Sequence, residues 1–185
     1  MKQIFESERI IFVEVTDLLI PDYLIMVNDI EHVDRFLGGA HDPYTEESEI
    51  RWVREKLEEK APVFSMIEKD SGGFIGNIEL MDVKDSEGEL GIAITAKKQD
   101  MGYGTEAVSA LTMYGFDQMK LKRIFLRTDP DNYRAIHVYE KCGFREYKRT
   151  EDDVYMEMLN IEYAPEVLYN NSQKERNTNR PASIH

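Results

Sequence analysis

Cysteine is nearly absent from this 185-residue chain: Cys142 stands alone, so no internal disulfide can form. A lone thiol suits a reducing cytoplasm, which is the expected compartment. Long apolar runs are absent too. None approaches the ~20 residues of a membrane-spanning helix, so no membrane partner is expected. The opening Met1-Lys2-Gln3-Ile4-Phe5-Glu6 also lacks the continuous apolar stretch of a secretory signal. Basic residues are the third shortage, 23 Lys and Arg against 36 Asp and Glu, for a formal charge of −13. Nucleic-acid binding relies on a basic footprint, so no nucleic-acid partner is expected. An acidic field draws in cationic molecules such as polyamines, aminoglycosides or basic peptides, although the same charge also serves plain solubility. His32 and His137 lack ligand-like spacing with acids or cysteine, so no metal is expected either.

What remains is a soluble globular balance, 42% hydrophobic and 32% charged, in a length that suits one domain. That domain is expected over residues 1–165. Residues 166–185 are expected to form a polar tail, since after Asn170 almost nothing is left to bury. There is no internal repeat. Arg9 to Val15, rich in β-branched and aromatic residues, predicts a first strand. Pro21 to Asn28 and Ile30 to Leu37 predict two short helices, and Thr45 predicts the cap of a longer one reaching Lys60. On that helix Ile50, Val53 and Leu57 are spaced to form one buried stripe. Val63 to Glu68 and Phe74 to Asp82, joined through Lys69-Asp70-Ser71-Gly72-Gly73, predict a hairpin. Another strand is expected over Glu89 to Thr95 and a helix from about Thr105. A strand over Arg123 to Thr128, a helix over Asn132 to Lys141 and strands near Arg145 to Arg149 and Val154 to Leu159 complete a mixed α/β sheet.

The most informative stretch is Gln99-Asp100-Met101-Gly102-Tyr103-Gly104-Thr105, between an apolar strand and an amphipathic helix. Glycine lets a backbone approach an anion closely, and the first N–H groups of a helix have no internal partner. A phosphorylated cofactor is the expected ligand. A P-loop would need a Lys-Ser or Lys-Thr pair after its glycines, whereas Gly104 is followed by Thr105-Glu106. A dinucleotide fingerprint matches Gly102-x-Gly104-x-x-Ala107, with Asp129 as a ribose-binding acid, but Thr95 to Met101 then intervene between strand and loop. The pyrophosphate loop of acetyl-CoA-dependent acyltransferases, Arg/Gln-x-x-Gly-x-Gly/Ala, matches residue for residue.

A second segment, Asn132-Tyr133-Arg134-Ala135-Ile136-His137-Val138-Tyr139-Glu140-Lys141-Cys142-Gly143-Phe144, predicts a helix capped by Asn132 and ended by a left-handed Gly143, with Ala135, Val138, Tyr139 and Cys142 on one face. As a pair, the two segments resemble the GNAT superfamily of N-acetyltransferases. The resemblance extends from about Arg9 to Leu159 in element order, and within the superfamily the helix opening Pro43-Tyr44-Thr45-Glu46-Glu47 and Trp52 resemble the branch of ribosomal-protein N-terminal and spermidine acetyltransferases. The resemblance implies an α+β fold: a mixed, mostly antiparallel, splayed central sheet with helices on both faces, its gap receiving the pantetheine arm of acetyl-CoA. It implies that Ile92, Ala93 and Ile94 offer backbone groups to that arm and that Gln99, Asp100, Met101, Gly102, Tyr103, Gly104 and Thr105 hold the pyrophosphate. Asn132, Ala135 and Lys141 would complete the cofactor site, with Tyr139 facing the thioester sulfur. Asp100 departs from the family pattern, since an acid beside a diphosphate helps only if it points to solvent.

Acetyl transfer to an amine requires a held thioester, a neutral amine, a stabilised oxyanion and a protonated leaving thiol. An alkyl ammonium has a pKa of about 10.4 and an α-amino group about 8, so the former needs more help at pH 7. Tyr139 is the expected donor to the departing sulfur. Glu79, mid-strand in Gly76-Asn77-Ile78-Glu79-Leu80, is the candidate base and substrate contact, against the plain alternative of a polar strand face. His41 and Asp42, in the loop before the long helix, are candidate substrate contacts. The expected function is acetyl transfer from acetyl-CoA to a polyamine, protein N-terminus or other cationic amine by direct attack in a ternary complex. A non-catalytic CoA-binding regulatory module and a dinucleotide-binding enzyme are the alternatives. A homodimer stays open.

Overall fold

The computed structural model describes residues 1–33 and 42–162. The first half of the expected helix Ile30–Leu37, Ile30 to Val33, is a turn, and its second half, His41 and the expected tail lie outside the described residues. These form a single eight-stranded sheet in the order β1-β2-β3-β4-β5-β6-β8-β7. The strands are β1 Gln3–Glu6, β2 Ile10–Glu14, β3 Val63–Glu68, β4 Phe74–Lys84, β5 Glu87–Ile94, β6 Arg123–Thr128, β7 Arg145–Arg149 and β8 Val154–Leu159. The helices are α1 Ile20–Val27, α2 Glu46–Glu58, α3 Tyr103–Asp117 and α4 Tyr133–Lys141.

Strand alternation sorts side chains between two cores. Phe64 and Met66 of β3, with Ile78 and Leu80 of β4, join Ala107, Leu111 and Tyr139 under α3 and α4. Val63 and Ile67 of β3 instead join Tyr23 of α1 and Val53 of α2 on the other face. Each large apolar side chain removed from water in this way contributes about 1.5–3 kcal/mol.

Every strand pairing is antiparallel except that of β5 with β6. This parallel ladder runs only from Glu87↔Arg123 to Glu89↔Phe125, although β5 continues to Ile94 and β6 to Thr128. The two strands therefore part in the middle of the sheet, leaving the splayed gap that the resemblance implied. One parallel pair is not the doubly wound parallel frame that a dinucleotide fingerprint serves.

Local chemistry explains the helix ends. Thr45 and Ser48 form a reciprocal capping box at α2. At the end of α4, Phe144 N–H donates to Tyr139 O and Gly143 N–H to Glu140 O, a Schellman closure around Gly143 at φ 94°. Three local expectations are corrected. Leu57 is 40% exposed, because α2 is rotated to bury Glu49 and Val53. Strands β4 and β5 reach to Lys84 and from Glu87, joined through Asp85 and Ser86, both with positive φ (52° and 66°) as a tight hairpin turn demands. Strand β1 was not expected at all.

Candidate active site

The gap and the glycine loop meet at one place. The alternation of β5 is set by Thr95, whose N–H donates to Ile75 O on the β4 side. Gly91 and Ala93 thus direct their backbone groups toward β4, and Ile92 and Ile94 direct theirs toward the gap, where no ladder partner follows Glu89. The chain then makes a short 3-10 turn, Ala96–Lys98, and enters α3 through Asp100 and Gly102, both left-handed (φ 58° and 80°). Alternating left-handed residues turn successive N–H groups toward one concave side, a backbone nest for anions, and here the nest opens onto a helix N-terminus.

Gly104 lies in the first turn of α3. A Cβ added there would stand 3.6 Å from Ile94 Cδ1 and 3.8 Å from both γ-methyls of Val138. The end of β5, the start of α3 and the inner face of α4 therefore converge on this glycine. Tyr139, next to Val138 on α4, is 6% exposed, with its ring 6.2 Å from that of Phe144. Burial raises its pKa well above the ordinary phenol value, and the nearby Cys142 thiol pushes the same way. The phenol stays protonated at neutral pH.

The loop is braced from beneath by residues the sequence reading passed over. Glu106 of α3 accepts from Ser7 Oγ (2.7 Å), Arg9 N–H (2.7 Å) and Arg9 Nε (2.7 Å). The same guanidinium donates to Met101 O at 3.0 Å and lies 4.4 Å over the Tyr103 ring. Glu68, ending β3, accepts from Lys98 Nζ at 2.6 Å and from the hydroxyls of Ser71 and Tyr103. Lys98 in particular holds the Glu68 carboxyl down at about 2, while burial and the bond to Glu68 push the Tyr103 phenol up to about 12. Sequence separations of 97 and 99 between the bonded partners hide this brace from any local pattern.

The other expected cofactor residues take definite places. Gln99 donates its side-chain amide to Ile94 O at 2.9 Å, tying the loop to the end of β5. Asp100 is largely exposed and turns toward Arg134 of α4, 3.4 Å away, so its carboxylate is partly neutralised. The Tyr103 side chain is buried, with its hydroxyl on Glu68. Thr105 accepts from the Cys142 thiol at 3.4 Å and so docks α4 on α3. Asn132 caps α4 by accepting from Ala135 N–H at 3.2 Å, and Lys141 closes the same helix.

Glu79 projects on the opposite face of the sheet, the α1/α2 side. Its carboxylate lies 3.3 Å from Lys56 Nζ of α2, and both side chains are about one-quarter exposed. Its neighbours across the sheet are Val63 on β3 and Gly91 on β5. Gly91 makes room for the end of the Met81 side chain, which would stand 3.0 Å from a Cβ added there, beside Glu79. Asp42 is exposed ahead of α2.

A family model of the acetyltransferase (GNAT) domain matches residues 9–145. The N-acetyltransferase p20 of Bacillus licheniformis, uncharacterized, is 30% identical over 139 residues, 66% of this chain and 78% of its own. A spermidine N(1)-acetyltransferase of Vibrio cholerae is 27% identical over 108 residues, 57% of this chain and 62% of its own. Among solved structures, a GNAT-family acetyltransferase from Bacillus anthracis superposes with a TM-score of 0.74 at 23% identity, covering 84% of this chain and 98% of that one. The Vibrio cholerae spermidine N-acetyltransferase solved with CoA and spermine gives 0.71 at 20% identity, covering 85% and 99%. With the matched domain spanning most of the sheet and both cofactor-loop segments, the chain belongs to the GNAT family of acetyltransferases.

Proposed function

We propose that the protein transfers an acetyl group from acetyl-CoA to a primary amine by direct attack across the gap between β5 and β6. The observation that carries this reading is the loss of pairing beyond Glu89/Phe125 beside the helix N-terminus at Gly104. An unpaired strand edge there supplies N–H and C=O groups to an amide-bearing arm, as an added strand would. The nest at Asp100 to Gly104 suits the diphosphate. The formal charge of −13 favours a cationic acceptor, and the relatives that acetylate spermidine agree.

Acetyl-CoA supplies the activated acyl group. On the cofactor side, a backbone N–H of Ile92 or Ile94 polarises the thioester carbonyl. Tyr139 donates a hydrogen bond to the departing sulfur. A phenol at pKa ~10 is a weaker acid than a thiol at ~8.5, so full proton transfer to the thiolate is uphill by about 2 kcal/mol, and the burial of Tyr139 adds to that cost. Its hydroxyl therefore stabilises the developing charge, and the proton comes finally from the product ammonium. On the acceptor side, Glu79 takes the proton that frees the amine lone pair, and Lys56 keeps the carboxylate in place. Asp42, exposed ahead of α2, is a further candidate contact for the acceptor.

Support would come from acetyl-CoA-dependent free-thiol release with a panel of polyamines, amino amides, peptides with free N-termini and aminoglycosides. Release with at least one amine, saturable in both substrates, is expected. Acetyl-CoA binding with no release on any amine would instead favour the regulatory module.

A further inference from the structure

One buried polar chain on the α1/α2 face is left over from this scheme. Tyr23 and Ser65 are both fully buried. Thr16 N–H donates to Tyr23 OH at 3.3 Å, Tyr23 OH and Ser65 Oγ are 2.6 Å apart, and Ser65 Oγ donates to Asn77 Oδ1 at 2.9 Å. The donor sense of this chain is fixed by its inner end. The Tyr23 oxygen already accepts from Thr16, so its own O–H needs an acceptor, and Ser65 Oγ is the one within reach. Ser65 must then give its single proton to Asn77 Oδ1. Turning the Asn77 amide over would remove the only side-chain acceptor at the outer end of this chain and leave one of the two buried hydroxyl protons, that of Ser65 or of Tyr23, unsatisfied, at the cost of a lost hydrogen bond.

Two fully buried hydroxyls thus hold one half-buried amide in one orientation, with the two protons of Asn77 Nδ2 pointing away from Ser65. Asn77 lies on the same face as Glu79, one alternation along β4. Its neighbour on β5 is Ala93, and the neighbour of Glu79 is Gly91. The floor between Asn77 and the gap therefore carries only the Ala93 methyl, while the end of the Met81 side chain lies over Gly91 beside Glu79. A fixed donor and a carboxylate acceptor stand roughly 7 Å apart along the strand, two residues at ~3.4 Å each.

We propose that Asn77 Nδ2 binds a carbonyl or hydroxyl oxygen lying two or three bonds from the reacting amine, with Tyr23 and Ser65 as positioning residues. This inference rests on the acetyl-transfer reading and narrows its acceptor. A carboxylate toward the amine and an N–H donor toward a neighbouring oxygen match an α-amino carbonyl, such as the first residue of a peptide. A donor in that place offers nothing to the second ammonium of a diamine.

The test compares kcat/KM for glycinamide, propylamine and butane-1,4-diamine in the wild type and in Asn77→Asp, Asn77→Leu and Ser65→Ala, with acetyl-CoA KM measured alongside. Asn77→Asp still accepts from Ser65, so it tests the lost donor even if Asn77→Leu fails to fold. Asn77→Asp is expected to lower kcat/KM for glycinamide about tenfold, leave propylamine within twofold and raise the diamine, with acetyl-CoA KM unchanged. Ser65→Ala frees the amide to rotate and is expected to lower glycinamide selectively by a smaller factor, which a merely structural role would not do. Equal losses on all three amines, or none on glycinamide, would overturn the inference and leave acetyl transfer standing. No thiol release by the wild type on any amine would overturn both.

Discussion

Gly104→Ala separates the fold's need for this glycine from the cofactor's. Gly104 is helical, and the added methyl would meet Ile94 and Val138 at 3.6 Å and 3.8 Å, ordinary van der Waals contact. Nothing in the fold must move. Replacing glycine by alanine in a helix gains up to about 1 kcal/mol, so thermal denaturation should show Tm rising by about 2–4 °C in a chain of this size. The same methyl occupies the junction of β5, α3 and α4, where a diphosphate has to approach the backbone. Titration calorimetry should then show acetyl-CoA bound at least tenfold more weakly, a loss of about 1.4 kcal/mol or more. A stabilised variant with wild-type affinity would refute the cradle and leave an ordinary strand–helix connection. A destabilised variant would refute the packing argument.

Tyr139→Phe keeps the ring and its place beside Phe144, so kcat should fall about 10²-fold with acetyl-CoA affinity nearly unchanged, read by steady-state thiol release and calorimetry. Glu79→Gln should lower kcat/KM for an alkylamine by about 10²-fold at pH 7, and a pH–rate profile should show the deficit narrowing toward pH 10, where the amine is already neutral. The Glu68 carboxyl, held at about 2 instead of 4.5 chiefly by Lys98, has a depressed folded pKa. Its stabilisation is therefore complete above about pH 4.5 and is lost as pH falls toward 2. Thermal scans should show the gap between wild type and Glu68→Gln constant near neutrality and closing through that window.

Features set by neighbours in sequence were legible. The Thr45 cap, the Asn132 cap and the left-handed Gly143 each depend on residues three or four apart, and all three form as expected. Strands whose buried apolar residues alternate clearly, such as Arg123–Thr128 and Val154–Leu159, match to the residue. Strand β1 escaped notice because Ile4 and Phe5 are its only apolar residues, too few to show a period, and its place at the sheet edge follows from Phe5 stacking on Phe12 and Tyr114. The turn at Asp85-Ser86 escaped because it lacks the glycine that usually marks positive φ. Leu57 was misassigned because an amphipathic helix can rotate by one position, and the pairing of Lys56 with Glu79 settles the rotation.

At the site, the loop glycines and the gap strand were visible in the sequence as a motif. The Arg9–Glu106 brace and the Tyr23–Ser65–Asn77 chain were not. Both join residues on different elements through a few side-chain hydrogen bonds, which leave no periodic signature.

The most direct test is a side-by-side calorimetric titration of the full chain with acetyl-CoA and with NAD, followed by addition of an amine that supports thiol release. The cradle at Gly102 and Gly104 beside the unpaired edge of β5 predicts saturable 1:1 binding of acetyl-CoA, none of NAD at the same concentrations, and one thiol released per amine acetylated. Binding of NAD in preference to acetyl-CoA, or thiol release that persists unchanged in Tyr139→Phe and Glu79→Gln together, would contradict it.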